Sequence, residues 1–243
     1  MAAQPPVITQ KPYVISEIIH ETPDVDTIRY KAQDGTRLNF DPGMFVMITY
    51  SNPDTKEKIA RAFSIASAPG SETLEFFVHM IHGRFTSHLD TAKVGDTYYM
   101  SGPYGQFRFV PAEDHKVLFI AGGTGLAPMM SMLRYVKDLG SDNDIVLIYS
   151  VRFPNEIIRK EELGELEKEI KMKLVVTVTR PQEGDGWAGE TGHIGQEMIK
   201  KYAPDYKERK VYVCGPLAFT KAMQEVCTSL EIPKEMVKAD VWG

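Results

Sequence analysis

The stretch from Val117 to Leu133, VLFIAGGTGLAPMMSML, joins an apolar run to a glycine turn and then to a helical pattern. The apolar run ends at Ala121, the turn is Gly122, Gly123, Thr124 and Gly125, and Pro128 falls in the first helical turn. A missing N–H does no harm there. A helix start presents unpaired N–H groups and partial positive charge, and glycines let a pyrophosphate come close. The chemistry this predicts is binding of a dinucleotide. Leu126-Ala127-Pro128 stand where the usual fingerprint has its last glycine or alanine, so a plain tight strand-to-helix connection is the competing reading.

Three further clusters raise questions of chemistry. RAFSIASAP, Arg61 to Pro69, opens a strand-like run with a cation. A barrel-rim ion pair for Arg61 and plain core for Phe63 would account for it if it stood alone. VYVCGP ends an apolar run with Cys214, Gly215 and Pro216, and a free cysteine is commonly a small buried hydrophobe. LEFFVHMIHG carries His79 and His82. Strand positions three apart point to opposite faces, and no cysteine or carboxylate cluster accompanies them, so no metal site is expected. The two cysteines, Cys214 and Cys227, build neither a metal cluster nor a disulfide framework. They fit a reducing cytoplasm.

The elements that must position these residues have two textures. Up to about residue 110, short runs rich in Val, Ile, Tyr, Phe and Thr recur: YVISEII, TIRYKA, MFVMITY, LEFFVHMI and TYYMSG. Turn residues separate them, which predicts a closed antiparallel β-barrel, with one short helix near TSHLDTA. After about residue 115, VLFIA, DIVLIYS, KLVVTVT and KVYVCG alternate with helical patterns. That alternation predicts an α/β domain with a doubly wound parallel sheet. PAEDHK is the expected linker, giving domains at 1–112 and 113–243. The 43% apolar and 25% charged residues suit a globular chain, and a net charge of −5 argues against nucleic acid as a partner. No apolar run reaches the ~18 residues of a membrane span. The first residues do not have the pattern of a signal peptide.

RAFS, GRFTS, GPYGQF, GGTGLAP and VCGP occur in this order across nearly the whole chain. Together they resemble the ferredoxin–NADP reductase family, which includes cytochrome b5 reductases and oxygenase reductases. The resemblance implies an FAD-binding barrel followed by an NAD(P)-binding domain. It implies that Arg61 holds the flavin pyrophosphate, in the fork geometry that suits guanidinium and phosphate. Ala62 is the variable position of that motif. Phe63 would pack beside the flavin in place of the commoner Tyr, and Ser64 would lie beside flavin N5. Val78 and His79 match the strand laid along the flavin edge. Gly83, Arg84, Phe85, Thr86 and Ser87 match the second flavin element, where backbone N–H groups and hydroxyls cap the pyrophosphate; Arg84 would add charge or lie in solvent. Cys214 would face the nicotinamide, with Gly215 and Pro216 letting the cofactor pass. Trp242, with Asp240 two residues before it, resembles the aromatic ending that stacks on the flavin in many members.

Coenzyme choice is read from strand ends. DIVLIYS runs into Val151 and Arg152, and KLVVTV into Thr179 and Arg180. Arginines there would pair with a 2′-phosphate, which leans the expectation towards NADPH, although NAD-using relatives carry similar arginines. In the loop GDGWAGETGHI, Trp187, Gly189 and Gly192 are expected to be structural. The expected activity is that of a flavin-dependent NAD(P)H oxidoreductase passing electrons through FAD to ferredoxin or flavodoxin. The alternatives are a reductase component or electron-transfer subunit of a multicomponent oxygenase or larger redox complex, or an NAD(P)H–flavin reductase or diaphorase.

Overall fold

The computed structural model describes residues 10–52 and 55–242, with backbone alone at 241 and 242. The first half is built from β1 (Lys11–Thr22), β2 (Val25–Ala32), β3 (Phe45–Ser51), β4 (Lys58–Ser64), β5 (Leu74–His79), the one-turn α1 (Thr86–Leu89) and β6 (Thr97–Tyr104). The strands form one sheet in the order β4-β3-β6-β1-β2-β5, and every pairing in it is antiparallel. The sheet curls until its edges meet just beyond β4, where Ala66 N–H donates to the Glu75 carbonyl at 2.8 Å. No ladder runs between β4 and β5 among the described residues, so the expected barrel is a curled sheet with a seam. Its interior is filled by Tyr30, whose ring meets Phe76 and Tyr98 edge-on, each at 5.8 Å.

The second half runs β7 (Lys116–Gly122), α2 (Leu126–Leu139), β8 (Asp144–Val151), α3 (Lys160–Glu169), β9 (Met172–Val178), β10 (Glu190–Thr191), α4 (Gln196–Tyr202), β11 (Lys210–Pro216), α5 (Leu217–Ser229) and β12 (Val237–Trp242). Its sheet is parallel, in the order β10-β9-β8-β7-β11-β12. Val117 to Ala121 are fully buried, as a central parallel strand covered on both faces requires. α2 stops at Gly140, φ +60°. There Gly140 N–H donates to Lys137 and Ser141 N–H to Val136, the paired bonds that close a helix on a left-handed residue.

Two strands are additions to the sequence reading. β10 is only two residues long. β12 is the segment read as a terminal tail: it pairs in parallel with β11, placing Asp240 opposite Cys214 and Trp242 opposite Pro216. Its alternating charges hide an edge strand from a pattern search. The side chain of Trp242 lies outside the described residues. Trp187 donates its indole N–H to the Glu190 carbonyl at 2.8 Å. A Cβ on Gly189 would overlap that ring, so this glycine is needed for packing.

The two halves share a core in which Val25, Ala66, Phe77 and Phe107 pack with Phe119, Met132 and Tyr212. A Cβ on Gly43 would overlap the Phe107 carbonyl and stand 2.6 Å from Met132 Cε. Around this core the polar contacts are charged. Glu75 on β5 is bonded by Arg134 of α2 at 2.8 Å and by Arg159 at 2.8 Å. Ser131 Oγ donates to the Ser67 carbonyl at 2.8 Å. In the connecting segment, the fully buried Asp114 carboxylate takes Lys210 Nζ and the Tyr212 hydroxyl, each at 2.6 Å. α2 and β5, the elements that flank the candidate site, are thereby tied to each other.

Candidate functional site

At the edge strand β4, Ala60, Arg61 and Ala62 are exposed in succession, so both faces of the strand are open there. Arg61 sits opposite Ile48 of β3 and has no ion-pair partner among the described residues. An unpaired cation on an uncovered strand is a fit for a phosphate ligand. Phe63, on the same face as Arg61, is half-buried between Phe85 at 5.4 Å and Phe76 at 6.4 Å. Ser64 is half-buried opposite Phe45. Across the seam, Val78 is buried core, while His79 is partly exposed with Nε2 3.0 Å from the Asp24 carboxylate.

The second cluster folds as a tight turn. Gly83 N–H donates to Thr86 Oγ1 at 2.8 Å, and Ser87 N–H to the Gly83 carbonyl at 2.9 Å. Phe85 is buried beneath it and Ser87 is exposed. Arg84 points outward into an ion pair with Glu57. Of the two arginines considered for the flavin phosphates, Arg61 is available and Arg84 is occupied.

The glycine turn between β7 and α2 divides its labour. Gly123 has φ +55° and open space where a Cβ would stand, so it forms the turn and leaves room for a ligand. Gly125 has ordinary φ, but a Cβ there would overlap the Cys214 carbonyl and lie 2.7 Å from Gly215 Cα. It lets α2 start directly against β11. On Gly122 and Gly215 a Cβ would press on the Phe219 ring, at 3.0 Å and 2.6 Å. Those two glycines seat Phe219, a residue the sequence analysis passed over because it reads as an ordinary helix position. The start of α2 has no side-chain cap, but the Leu126 N–H already donates to the Gly123 carbonyl of the preceding turn, so it is the glycine turn ahead of α2 that would meet an anion. Cys214 is fully buried at the carboxyl end of β11, and Pro216 is exposed beside it. The strand order reverses between β7 and β11, and ligands of such sheets bind at that crevice. Asp240 is half-buried on the neighbouring strand.

The arginines at the strand ends differ in state. Arg180 N–H donates to the Arg152 carbonyl at 2.9 Å, and Thr179 Oγ1 to the Val151 carbonyl at 3.3 Å, which sets the two ends side by side. Arg180 is exposed and has no ion pair among the described residues. Arg152 is engaged twice, by Asp24 of the β1–β2 turn at 2.6 Å and by Glu156 at 2.7 Å. Burial pushes the Asp24 carboxyl up, but Arg152 and His79 outweigh it and hold it below its ordinary range. Asp24 and Glu156 carried no signal in the sequence, since neither lies in a motif.

Comparison with known proteins adds names to this geometry. Residues 12–109 match the oxidoreductase FAD-binding domain and residues 119–225 the oxidoreductase NAD-binding domain. The chain is 32% identical over 219 residues to the glycine betaine monooxygenase reductase subunit of Chromohalobacter salexigens, covering 88% of this chain and 59% of that protein. It is 33% identical over 214 residues to the stachydrine N-demethylase reductase subunit Stc4 of Rhizobium meliloti, covering 86% and 60%. The chain therefore spans about three-fifths of the length of these relatives. Among solved structures, the FAD/NAD-binding domain of nitric oxide dioxygenase from Vibrio cholerae superimposes with a TM-score of 0.85 at 20% identity, over 96% of this chain and 98% of that one. The ferredoxin reductase in carbazole 1,9a-dioxygenase gives 0.84 at 23%, over 97% and 70%.

Proposed function

Since the chain belongs to the ferredoxin–NADP reductase family of FAD- and NAD-binding oxidoreductases, we propose that it is the reductase component of a multicomponent oxygenase. What carries this reading is the run of similar reductase proteins: two named above, and the reductase component of propane 2-monooxygenase from Mycolicibacterium goodii at 28% identity. It displaces the ferredoxin or flavodoxin acceptor expected from the sequence.

FAD, when bound, supplies the exchange between a two-electron hydride and single electrons. The side chains have the remaining tasks. Arg61 pairs with the flavin pyrophosphate, and the exposed Ser87 and the Gly83 turn flank it. Phe63 and Ser64 border the ring, and His79, fixed by Asp24, lines the edge beyond Val78. Gly123, Thr124 and the glycine turn ahead of α2 would receive the coenzyme pyrophosphate. Cys214, buried at the end of β11, would back the nicotinamide site, and the Phe219 ring would wall the same crevice. The hydride step itself moves no separate proton, so no acid–base residue is assigned to it.

The acceptor is tested by following electron flow from NAD(P)H through the FAD-loaded protein. The acceptors are the terminal oxygenase component of the glycine betaine system, ferredoxin, flavodoxin and free flavin. The expected order has the oxygenase component fastest. A faster rate with ferredoxin or flavodoxin would replace the oxygenase reading.

The Arg61 assignment has its own test. Arg61→Ala is expected to weaken FAD binding by about 2 kcal/mol, the worth of a charge-assisted phosphate contact, which is roughly thirtyfold in affinity. The apo-protein should melt as the parent does, since the exposed Arg61 has no ion pair to lose among the described residues. Dialysis followed by flavin absorbance reads the first effect and circular dichroism the second. Full FAD retention would remove Arg61 from the phosphate site.

A further inference from the structure

The strand next to β7 on the side away from β11 is β8. In doubly wound sheets a dinucleotide held at the first glycine turn lays its adenosine ribose over the end of that neighbouring strand. Whatever follows β8 therefore meets the ribose 2′ position, where NADPH has a phosphate and NADH a hydroxyl. Here the residue is Arg152. A free arginine at that place would favour the phosphate, because a guanidinium fork binds two phosphate oxygens at once.

The fork is already filled. Glu156 accepts from Arg152 Nε at 3.0 Å and stands 2.7 Å from Nη2, a two-point contact of the kind a phosphate would make. The same carboxylate also accepts the Arg152 backbone N–H at 3.1 Å. Asp24 takes Nη2 at 2.6 Å from the other half of the molecule. Asp24 is itself held by Thr22 Oγ1 at 3.2 Å and by His79 Nε2 at 3.0 Å. Both carboxylates are tethered within the fold, so neither diffuses away when a coenzyme arrives. A 2′-phosphate dianion would have to break a contact between the two halves and then sit beside two carboxylates. Arg180 remains as one exposed cation, with Glu183 and Asp185 following it on its own loop. Carboxylates outnumber guanidiniums around the two strand ends, Asp24, Glu156, Glu183 and Asp185 against Arg152 and Arg180, and a hydroxyl loses nothing there.

We infer that Glu156 and Asp24 set the coenzyme choice to NADH by occupying the Arg152 guanidinium. This reverses the NADPH lean drawn from the arginines alone, and it rests on the reading of the chain as an NAD(P)H–FAD oxidoreductase. Each exposed pair is individually weak, so the discrimination comes from the summed charge and from the filled fork.

The test is flavin reduction by NADH and NADPH in stopped flow without any electron acceptor, so that it does not depend on the oxygenase assignment. Fluorescence titration with NAD+ and NADP+ gives the same comparison independently of turnover. The parent is expected to favour NADH by at least tenfold in both measurements. Glu156→Gln should narrow that ratio by about tenfold, chiefly by tightening the 2′-phosphorylated coenzyme, and Asp24→Asn should narrow it in the same sense. Arg152→Ala should not penalise NADPH selectively. A parent that prefers NADPH, or a ratio unmoved in both carboxylate variants, would overturn the inference.

Discussion

Replacing Glu75 with alanine is expected to lower the stability of the protein by about 3–5 kcal/mol, the range for removing one partner of a buried ion pair. Glu75 is 3% exposed and receives Arg29 Nε at 2.7 Å, Arg134 Nη1 at 2.8 Å and Arg159 Nη2 at 2.8 Å. Arg29 keeps Glu17 and Arg134 keeps Glu162 when the carboxylate is lost. Arg159 does not fare as well. Its remaining carboxylates stand at 3.6 and 3.8 Å, and its buried Nε has no hydrogen-bond partner even in the parent. Urea denaturation of the two proteins measures the difference. A loss below 1 kcal/mol would mean that water replaces the carboxylate freely, and the network would be ornament on the shared core.

The same carboxylate gives a pH signature. Burial pushes the Glu75 carboxyl up, but Arg134 and Arg159 outweigh it and hold it below its ordinary value. A group depressed in the folded state contributes stability above its unfolded pKa, about 4.3 for Glu. That contribution is lost as pH falls through the folded value. The parent should therefore lose stability below about pH 4 more steeply than Glu75→Gln, in which nothing titrates at this place.

How much of this was legible in the sequence depended on the range of the interaction. The β7 run followed by glycines and the alternation of strands and helices are local patterns, and they appear where the residues predict them. The strand order and the seam beside β4 are set by packing, and β12 reads as a tail because its alternation of apolar and charged residues is too short to stand out. The site divides in the same way. Arg61 and the glycine turn stand out by type and spacing. That Arg61 has no ion pair among the described residues while Arg84 is taken by Glu57, 27 residues away, is a tertiary fact. Arg152 shows the limit most sharply. As a letter after a strand it resembles a phosphate ligand, and its partner Asp24 lies 128 residues earlier in the chain. Glycine spacing is equally silent on packing, for Gly122 and Gly215 make room for the Phe219 ring.

Gly125→Ala is expected to abolish coenzyme-driven flavin reduction while leaving FAD content intact. The added Cβ would overlap the Cys214 carbonyl oxygen, with the Cys214 carbonyl carbon at 2.5 Å and Gly215 Cα at 2.7 Å. All three are backbone atoms, so no side chain can swing aside. The start of α2 must move off β11, and the glycine turn and the end of β11 are the two walls of the crevice proposed for the nicotinamide. A misplacement of about 1 Å costs on the order of 100-fold in rate, so kcat/KM for flavin reduction should fall at least that far. Gly125 has φ −61°, which alanine adopts freely, so the effect is steric alone. Arg61 and the Gly83 turn belong to the first half of the chain and are untouched, and flavin absorbance after dialysis should match the parent. Gly123→Ala is the complementary case: it has space for the methyl group but φ +55°, a backbone penalty of about 1–2 kcal/mol with no clash. It should weaken coenzyme binding moderately and leave the contact of α2 with β11 in place. Reduction of Gly125→Ala within a few-fold of the parent rate would show that the crevice tolerates a displaced helix start. The pyrophosphate would then be held elsewhere than at this turn.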